Sequence, residues 1–183
     1  MNDFVEMAEI PLMDPTKSLA QMPEGANFLR LDDQVCFPMY LASRLMVNAY
    51  RPLLDALHLT YPQYLTLMVL WEHDGLSVGA LGDKLYLDTG TLTPLLKRME
   101  KQGLIERRRN RYDDRVVETW LTAAGRNIKP EAQKVPVALM CSAGFDLGEL
   151  QVLKQVLEGV IAKLLPLQEA VPAAPPIEPD SAL

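Results

Sequence analysis

LYLDTGTLTPLLKRMEKQGLIERRRNRYDDRVVETWLT, residues 85–122, is the stretch that decides the fold. Its first half has the spacing of an amphipathic helix and stops at Gly103. A strand-like run, LIERRRN (104–110), leads into a polar turn, RYDD (111–114), and a second strand-like run, RVVETWLT (115–122). A helix followed by an arginine-tipped hairpin is the order of a winged helix. The predicted class is therefore mainly α with a small β-hairpin wing. Between residues 97 and 115, Lys97, Arg98, Lys101, Arg107, Arg108, Arg109, Arg111 and Arg115 face only Glu100, Glu106, Asp113 and Asp114. Eight cations against four carboxylates make a basic island in a chain of net charge −6. Charge so localised points to a polyanion contact at one place, not to general adhesion.

Outward from that segment, 183 residues fit one domain with extensions, and 49% hydrophobic content suffices for a core. No run of about 18 apolar residues exists, so no membrane span is predicted. The opening MNDFVEMAEI is acidic and lacks a basic stretch followed by an apolar one, which predicts a cytoplasmic protein. Cys36 and Cys141 are the two cysteines, and neither lies at metal spacing with His58 or His73. No metal or other cofactor is predicted. In a reducing compartment a permanent disulfide is not expected, and each thiol taken alone reads as a small buried hydrophobe.

Residues 1–30 mix Pro, Met and acidic residues without a period and read as a partly flexible extension. Residues 31–165 form the predicted winged helix-turn-helix with N- and C-terminal dimerisation helices, its DNA-binding core at about 60–122. Residues 166–183 read as a disordered Pro/Ala-rich tail. Asp32 or Asp33 is placed to cap a helix running to about Leu57, with Pro38 distorting its first turns. Pro62 fits the first turn of a second helix ending near Trp71. Ser77 and then Asp88 or Thr89 are placed to cap the next two, and Pro94 predicts a bend. Thr122 starts a helix that Pro130 and Pro136 interrupt. Asp146 with Glu149 resembles a capping box. The helix it starts carries a stripe of Leu150, Leu153, Leu157, Val160, Ile161 and Leu164, best covered by a second copy of the chain.

Within the candidate recognition helix, Thr89, Thr91 and Thr93 occupy the first turns, with Lys97 and Arg98 further along. Hydroxyls and free N–H groups at a helix start suit phosphate or base edges. Arg109, Arg111 and Arg115 surround the hairpin tip, where an arginine can enter a narrow minor groove. Asp113 or Asp114 is placed to orient Arg115 through a paired hydrogen bond. Of the consecutive arginines Arg107 to Arg109, some must point away from DNA. Gly75-Leu76-Ser77-Val78-Gly79 fits the nucleophile elbow of serine hydrolases, but both histidines precede Ser77 and no parallel-sheet pattern exists. Ser77 is read as a helix cap.

The segment from about Leu31 to Leu165 resembles the MarR family of dimeric winged-helix repressors, and DDRVVETWLTAAG resembles that family's wing motif. Within the family, LDDQVCF, LTYPQYLTLMVLWE and LYLDTGTLTPLLKRMEKQGLI resemble the organic hydroperoxide resistance regulators of the two-cysteine type. The resemblance implies that Cys36 is a sensing thiol and that Tyr40, Tyr50 and Tyr61 support its thiolate. Tyr40 is one turn on from Cys36, whereas Tyr50 lies 14 residues on, about 21 Å along a continuous helix. Tyr50 would thus serve the Cys36 of an antiparallel partner. The resemblance further implies that Cys141 of the other subunit resolves oxidised Cys36 to a disulfide, releasing a palindromic operator when an organic hydroperoxide acts as inducer. Two other readings remain: a repressor released by a non-covalent small aromatic ligand, and a thiol peroxidase with one basic loop.

Overall fold

A computed structural model of the chain describes residues 29–169. Most of the predicted extension and most of the predicted tail lie outside those residues. Helix α1 spans Cys36–Asp55, α2 Tyr61–Glu72, α3 Val78–Leu85 and α4 Thr89–Lys101. A short strand β1, Leu76–Ser77, precedes α3, while β2 (Ile105–Arg109) and β3 (Val117–Leu121) form the hairpin. The chain ends in α5 (Ala123–Asn127), α6 (Lys129–Ala132), α7 (Lys134–Ala143) and α8 (Leu147–Glu169). The chain divides within α1, between Leu45 and Met46, into two compact units. The sequence predicted no boundary there.

In the first unit, Leu31–Asp33 form a 3-10 turn, and α1 begins only at Cys36. Pro38 therefore occupies the first helical turn, where its missing N–H would be unsatisfied anyway. The expected cap at Asp32 or Asp33 is corrected by this later start.

The second unit holds the core. Leu67 and Leu70 of α2, Leu81 of α3, Leu92, Leu96 and Met99 of α4, and Ile105 of β2 are all essentially inaccessible. Each such side chain contributes about 1.5–3 kcal/mol of burial. The helix starts are set locally, as their sequences require. Ser77 Oγ accepts from Ala80 N, Asp88 Oδ1 from Thr91 N, and Thr122 Oγ1 from Gly125 N. Asp146 and Glu149 exchange reciprocal bonds, Glu149 N to Asp146 Oδ1 at 2.8 Å and Asp146 N to Glu149 Oε2 at 3.0 Å. Pro130 and Pro136 fall in the first turns of α6 and α7, which is why this region is three short helices.

Two close approaches lock the reading head together. A Cβ on Gly82 would lie 2.6 Å from the Leu87 carbonyl oxygen, and one on Gly125 would overlap that of Leu104. Only glycine lets α3 meet the turn before α4, and α5 meet the start of β2. The sheet has three strands in the order β1-β3-β2, all antiparallel, with Leu76 opposite Thr119 and Arg107 also opposite Thr119. The sequence predicted the hairpin without β1, because a two-residue strand has no period to read.

Helix α8 runs through Pro166 to Glu169, past the expected tail boundary. Leu153, Leu157, Ile161 and Leu164 of its predicted stripe are 37–49% exposed. That stripe is only partly covered within one chain. No helix among the described residues is long and apolar enough to cross a membrane.

Candidate nucleic-acid interface and redox site

Helix α4 is buried along one face by Leu92, Leu95, Leu96 and Met99. The opposite face leaves Thr89, Lys97 and Arg98 exposed, with Thr91 and Thr93 half-buried. Thr91 is committed to the cap. Its Oγ1 donates to Asp88 Oδ2 at 2.7 Å, and its N–H to Asp88 Oδ1 at 2.9 Å. These bonds hold the Asp88 carboxyl below its ordinary range. Thr91 therefore shapes the helix start and has no hydroxyl proton left for a phosphate.

The hairpin sorts its arginines by partner. Arg107 is pinned to Glu100 of α4, through Nε at 2.9 Å, Nη2 at 2.8 Å and its backbone N–H at 3.1 Å. Arg108 pairs with Glu106 and lies 5.8 Å from the centre of the Trp120 ring. Arg107 ties the wing to the head, whereas Arg108 is held within the hairpin itself. Arg109 makes one long bond, Nη1 to the Asp114 carbonyl at 3.4 Å. Arg111 and Arg115 are exposed, and among the described residues their guanidinium groups have no hydrogen bond or ion pair. Asp113 does not orient the Arg115 guanidinium as expected. Its Oδ1 accepts the Arg115 backbone N–H at 2.9 Å, so it shapes the turn. Asn110 closes that turn by accepting from Tyr112 N and Asp113 N, at 2.8 and 3.1 Å.

Glu100 gives the wing anchor a pH dependence. Its carboxyl is held below the ordinary 4.5, first by the hydrogen bond from the Arg107 side chain, against a smaller opposing effect of desolvation. A carboxyl depressed in the fold contributes stability above its unfolded value, and that contribution is lost as pH falls through the folded value. Wild type is expected to lose this part of its stability on acidification below 4.5. Glu100→Gln should cost about 1 kcal/mol at neutral pH and show a flatter acid profile. Urea midpoints at neutral pH and about pH 4 check this, and parallel profiles for the two proteins would refute it.

Both cysteines are exposed and free, which corrects the reading of either as a buried hydrophobe. Cys36 is the first residue of α1, and Cys141 lies near the end of α7. Tyr40 stands one turn from Cys36. Its hydroxyl accepts from Arg44 Nη1 at 3.1 Å, and the Arg44 guanidinium lies 5.5 Å from its ring centre. Among the described residues, no phenol donates to Cys36. In the second unit, Tyr50 and Tyr61 pack with ring centres 5.0 Å apart, Tyr50 and Tyr64 at 6.1 Å, and Tyr64 and Trp71 at 6.5 Å. Burial pushes the phenols of Tyr50, Tyr61 and Tyr64 above their ordinary range, so each remains a neutral O–H donor. The sequence reading overlooked Tyr64 and Trp71. The i, i+3 spacing of Tyr61 and Tyr64 in YPQY was the available signal.

A capped helix with free cations, packed by its apolar side against an arginine-tipped β-hairpin, defines a winged-helix DNA-binding protein. The MarR family model matches residues 59–117. The chain is 49% identical over 133 residues to the organic hydroperoxide resistance transcriptional regulator of Bacillus subtilis, covering 71% of this chain and 90% of that one. Among solved structures, reduced AbfR bound to DNA is 32% identical with a TM-score of 0.63, over 75% of this chain and 96% of that chain. Disulfide-formed AbfR is 30% identical with a TM-score of 0.54, over 80% and 98%. AbfR is a Staphylococcus epidermidis protein. This chain belongs to the MarR family, and it is a transcriptional regulator rather than an enzyme.

Proposed function

We propose that this regulator is a homodimeric, cytoplasmic repressor that holds operator DNA while Cys36 is reduced and releases it when an organic hydroperoxide oxidises that thiol. The observation that carries the reading is an exposed, unbonded Cys36 at the first turn of α1, in a chain 49% identical to an organic hydroperoxide resistance regulator. Helix α4, the free arginines Arg111 and Arg115, and the weakly held Arg109 supply the DNA contact, with Thr89, Thr93, Lys97 and Arg98 beside them. The Cys36 thiolate attacks the peroxide, an S–O bond forms, the O–O bond breaks, and an alcohol leaves. The resulting sulfenic acid condenses with the Cys141 thiol of the other subunit, forming a disulfide and releasing water. That AbfR has been solved both reduced on DNA and disulfide-formed supports a thiol switch on this fold. Tyr40, Tyr50 and Tyr61 act as hydroxyl donors to the sulfur in the dimer, Tyr50 and Tyr61 as the paired element.

Fluorescence anisotropy of the reduced protein on DNA from upstream of its own gene tests the reading. Binding should be lost with a few equivalents of cumene hydroperoxide and restored with dithiothreitol. Binding indifferent to peroxide would leave a regulator released by a non-covalent ligand. For Cys141→Ser, peroxide should still be sensed but no crosslinked dimer should form. A peroxide-induced dimer band on non-reducing gels with this variant would remove Cys141 from the mechanism.

A further inference from the structure

The wing tip carries an aromatic residue that the redox switch and the arginine contacts leave unused. Tyr112 is 96% exposed, and tyrosine, with an apolar ring and a polar tip, is a residue type enriched at interfaces. The tip holds it there firmly. The N–H of Tyr112 donates to Asn110 Oδ1 at 2.8 Å, and the Asn110 backbone N–H bonds the Val116 carbonyl at 2.9 Å across the turn. Asn110 Nδ2 in turn donates to Glu118 Oε1 at 2.5 Å, so the turn is braced against β3. Beside the ring lies a cleft of about 370 Å³ bordered by Arg109, Arg111, Glu118 and Trp120. The carboxylate in that cleft is already occupied: Glu118 accepts from Asn110 and, at 3.2 Å, from Trp120 Nε1. The guanidinium of Arg111 is free, and that of Arg109 is held only by its 3.4 Å bond. The surface thus presents one projecting ring flanked by cations over a concave floor.

We propose that Tyr112 packs its ring on the deoxyribose wall of the operator minor groove, while the adjoining cleft seats a backbone phosphate between Arg109 and Arg111. The proposal rests on the wing being a DNA contact and adds an apolar component to it. Arginines supply charge, which salt screens; a ring against sugar supplies contact area, which salt does not screen. The two contributions are therefore separable by ionic strength.

The test measures anisotropy of the reduced full-length protein on a fluorescein-labelled duplex from upstream of its own gene, across a salt series. Tyr112→Ala should weaken binding about tenfold with the same slope of log affinity against log salt as wild type. Tyr112→Phe should recover most of that loss, since it restores the ring. Arg111→Ala should flatten the slope by about 1. If Tyr112→Ala binds like wild type while Arg111→Ala is weakened, Tyr112 makes no contact and the wing reading stands. If Tyr112→Ala flattens the slope as Arg111→Ala does, the residue acts through the arginines and the packing contact is wrong. If neither substitution matters, the wing itself is not on the DNA.

Discussion

Cys36→Ser protein is expected to bind its operator as wild type does and to keep it in the presence of organic hydroperoxide. Switching an operator from nearly full to nearly empty needs on the order of 10⁴-fold difference in affinity between two states. Under the proposed mechanism that whole factor depends on one S–O bond. A serine hydroxyl is not ionised at neutral pH and does not attack a peroxide, so no second state is reached. The substitution is also structurally mild, because Cys36 is exposed and its side chain has no partner among the described residues. Anisotropy with and without cumene hydroperoxide measures the effect, and circular dichroism confirms the fold. A Cys36→Ser protein that still leaves DNA on peroxide addition would end the role of this thiol. One that ignores peroxide but responds to a small aromatic compound would favour the non-covalent reading.

The double variant Arg111→Ala/Arg115→Ala should lose about 100-fold in operator affinity at physiological salt and flatten the salt slope by about 2. Both guanidinium groups are free of partners among the described residues, so their removal breaks no bond that holds the wing. Arg107→Ala makes the contrast. Arg107 is tied to Glu100 at 2.8–2.9 Å, and its loss should act mainly on stability and leave the salt slope nearly intact. Equal slopes for wild type and the double variant would show that the tip does not touch phosphate. Analytical ultracentrifugation of the same samples should give an unchanged oligomeric state, since neither residue lies on α1 or α8.

The tip also shows why net charge alone is a poor guide to an interface. The basic island contains eight cations, yet Arg107 and Arg108 are engaged by carboxylates within the fold. A basic run in the sequence does not reveal which members are neutralised. The partner of Arg107, Glu100, lies on the preceding helix, and only the packing of α4 on β2 brings the two together. Asp113 shows the reverse error. Adjacency to Arg115 suggested a paired side-chain bond, but a tight turn directs the backbone N–H to the carboxylate first. The two cysteines show a third. Composition makes free cysteine a buried hydrophobe by default, yet both are exposed, one at the start of α1 and one near the end of α7.

What the sequence alone determined is mostly governed by neighbours within a turn. Ser77, Asp88, Thr122 and the Asp146–Glu149 pair were legible as helix starts because a cap bonds a backbone N–H only three residues on. The hairpin was legible because two strand-like runs rich in β-branched and aromatic residues or arginine flank a polar turn. Tertiary structure alone decided what depends on residues far apart in the chain. It added β1 to the sheet through Leu76 opposite Thr119. It packed Tyr50 against Tyr61, and it divided the arginines into those engaged within the fold and those left free. Such pairings follow from packing a shared core, and no periodicity in the sequence records which side chains that packing leaves without a partner.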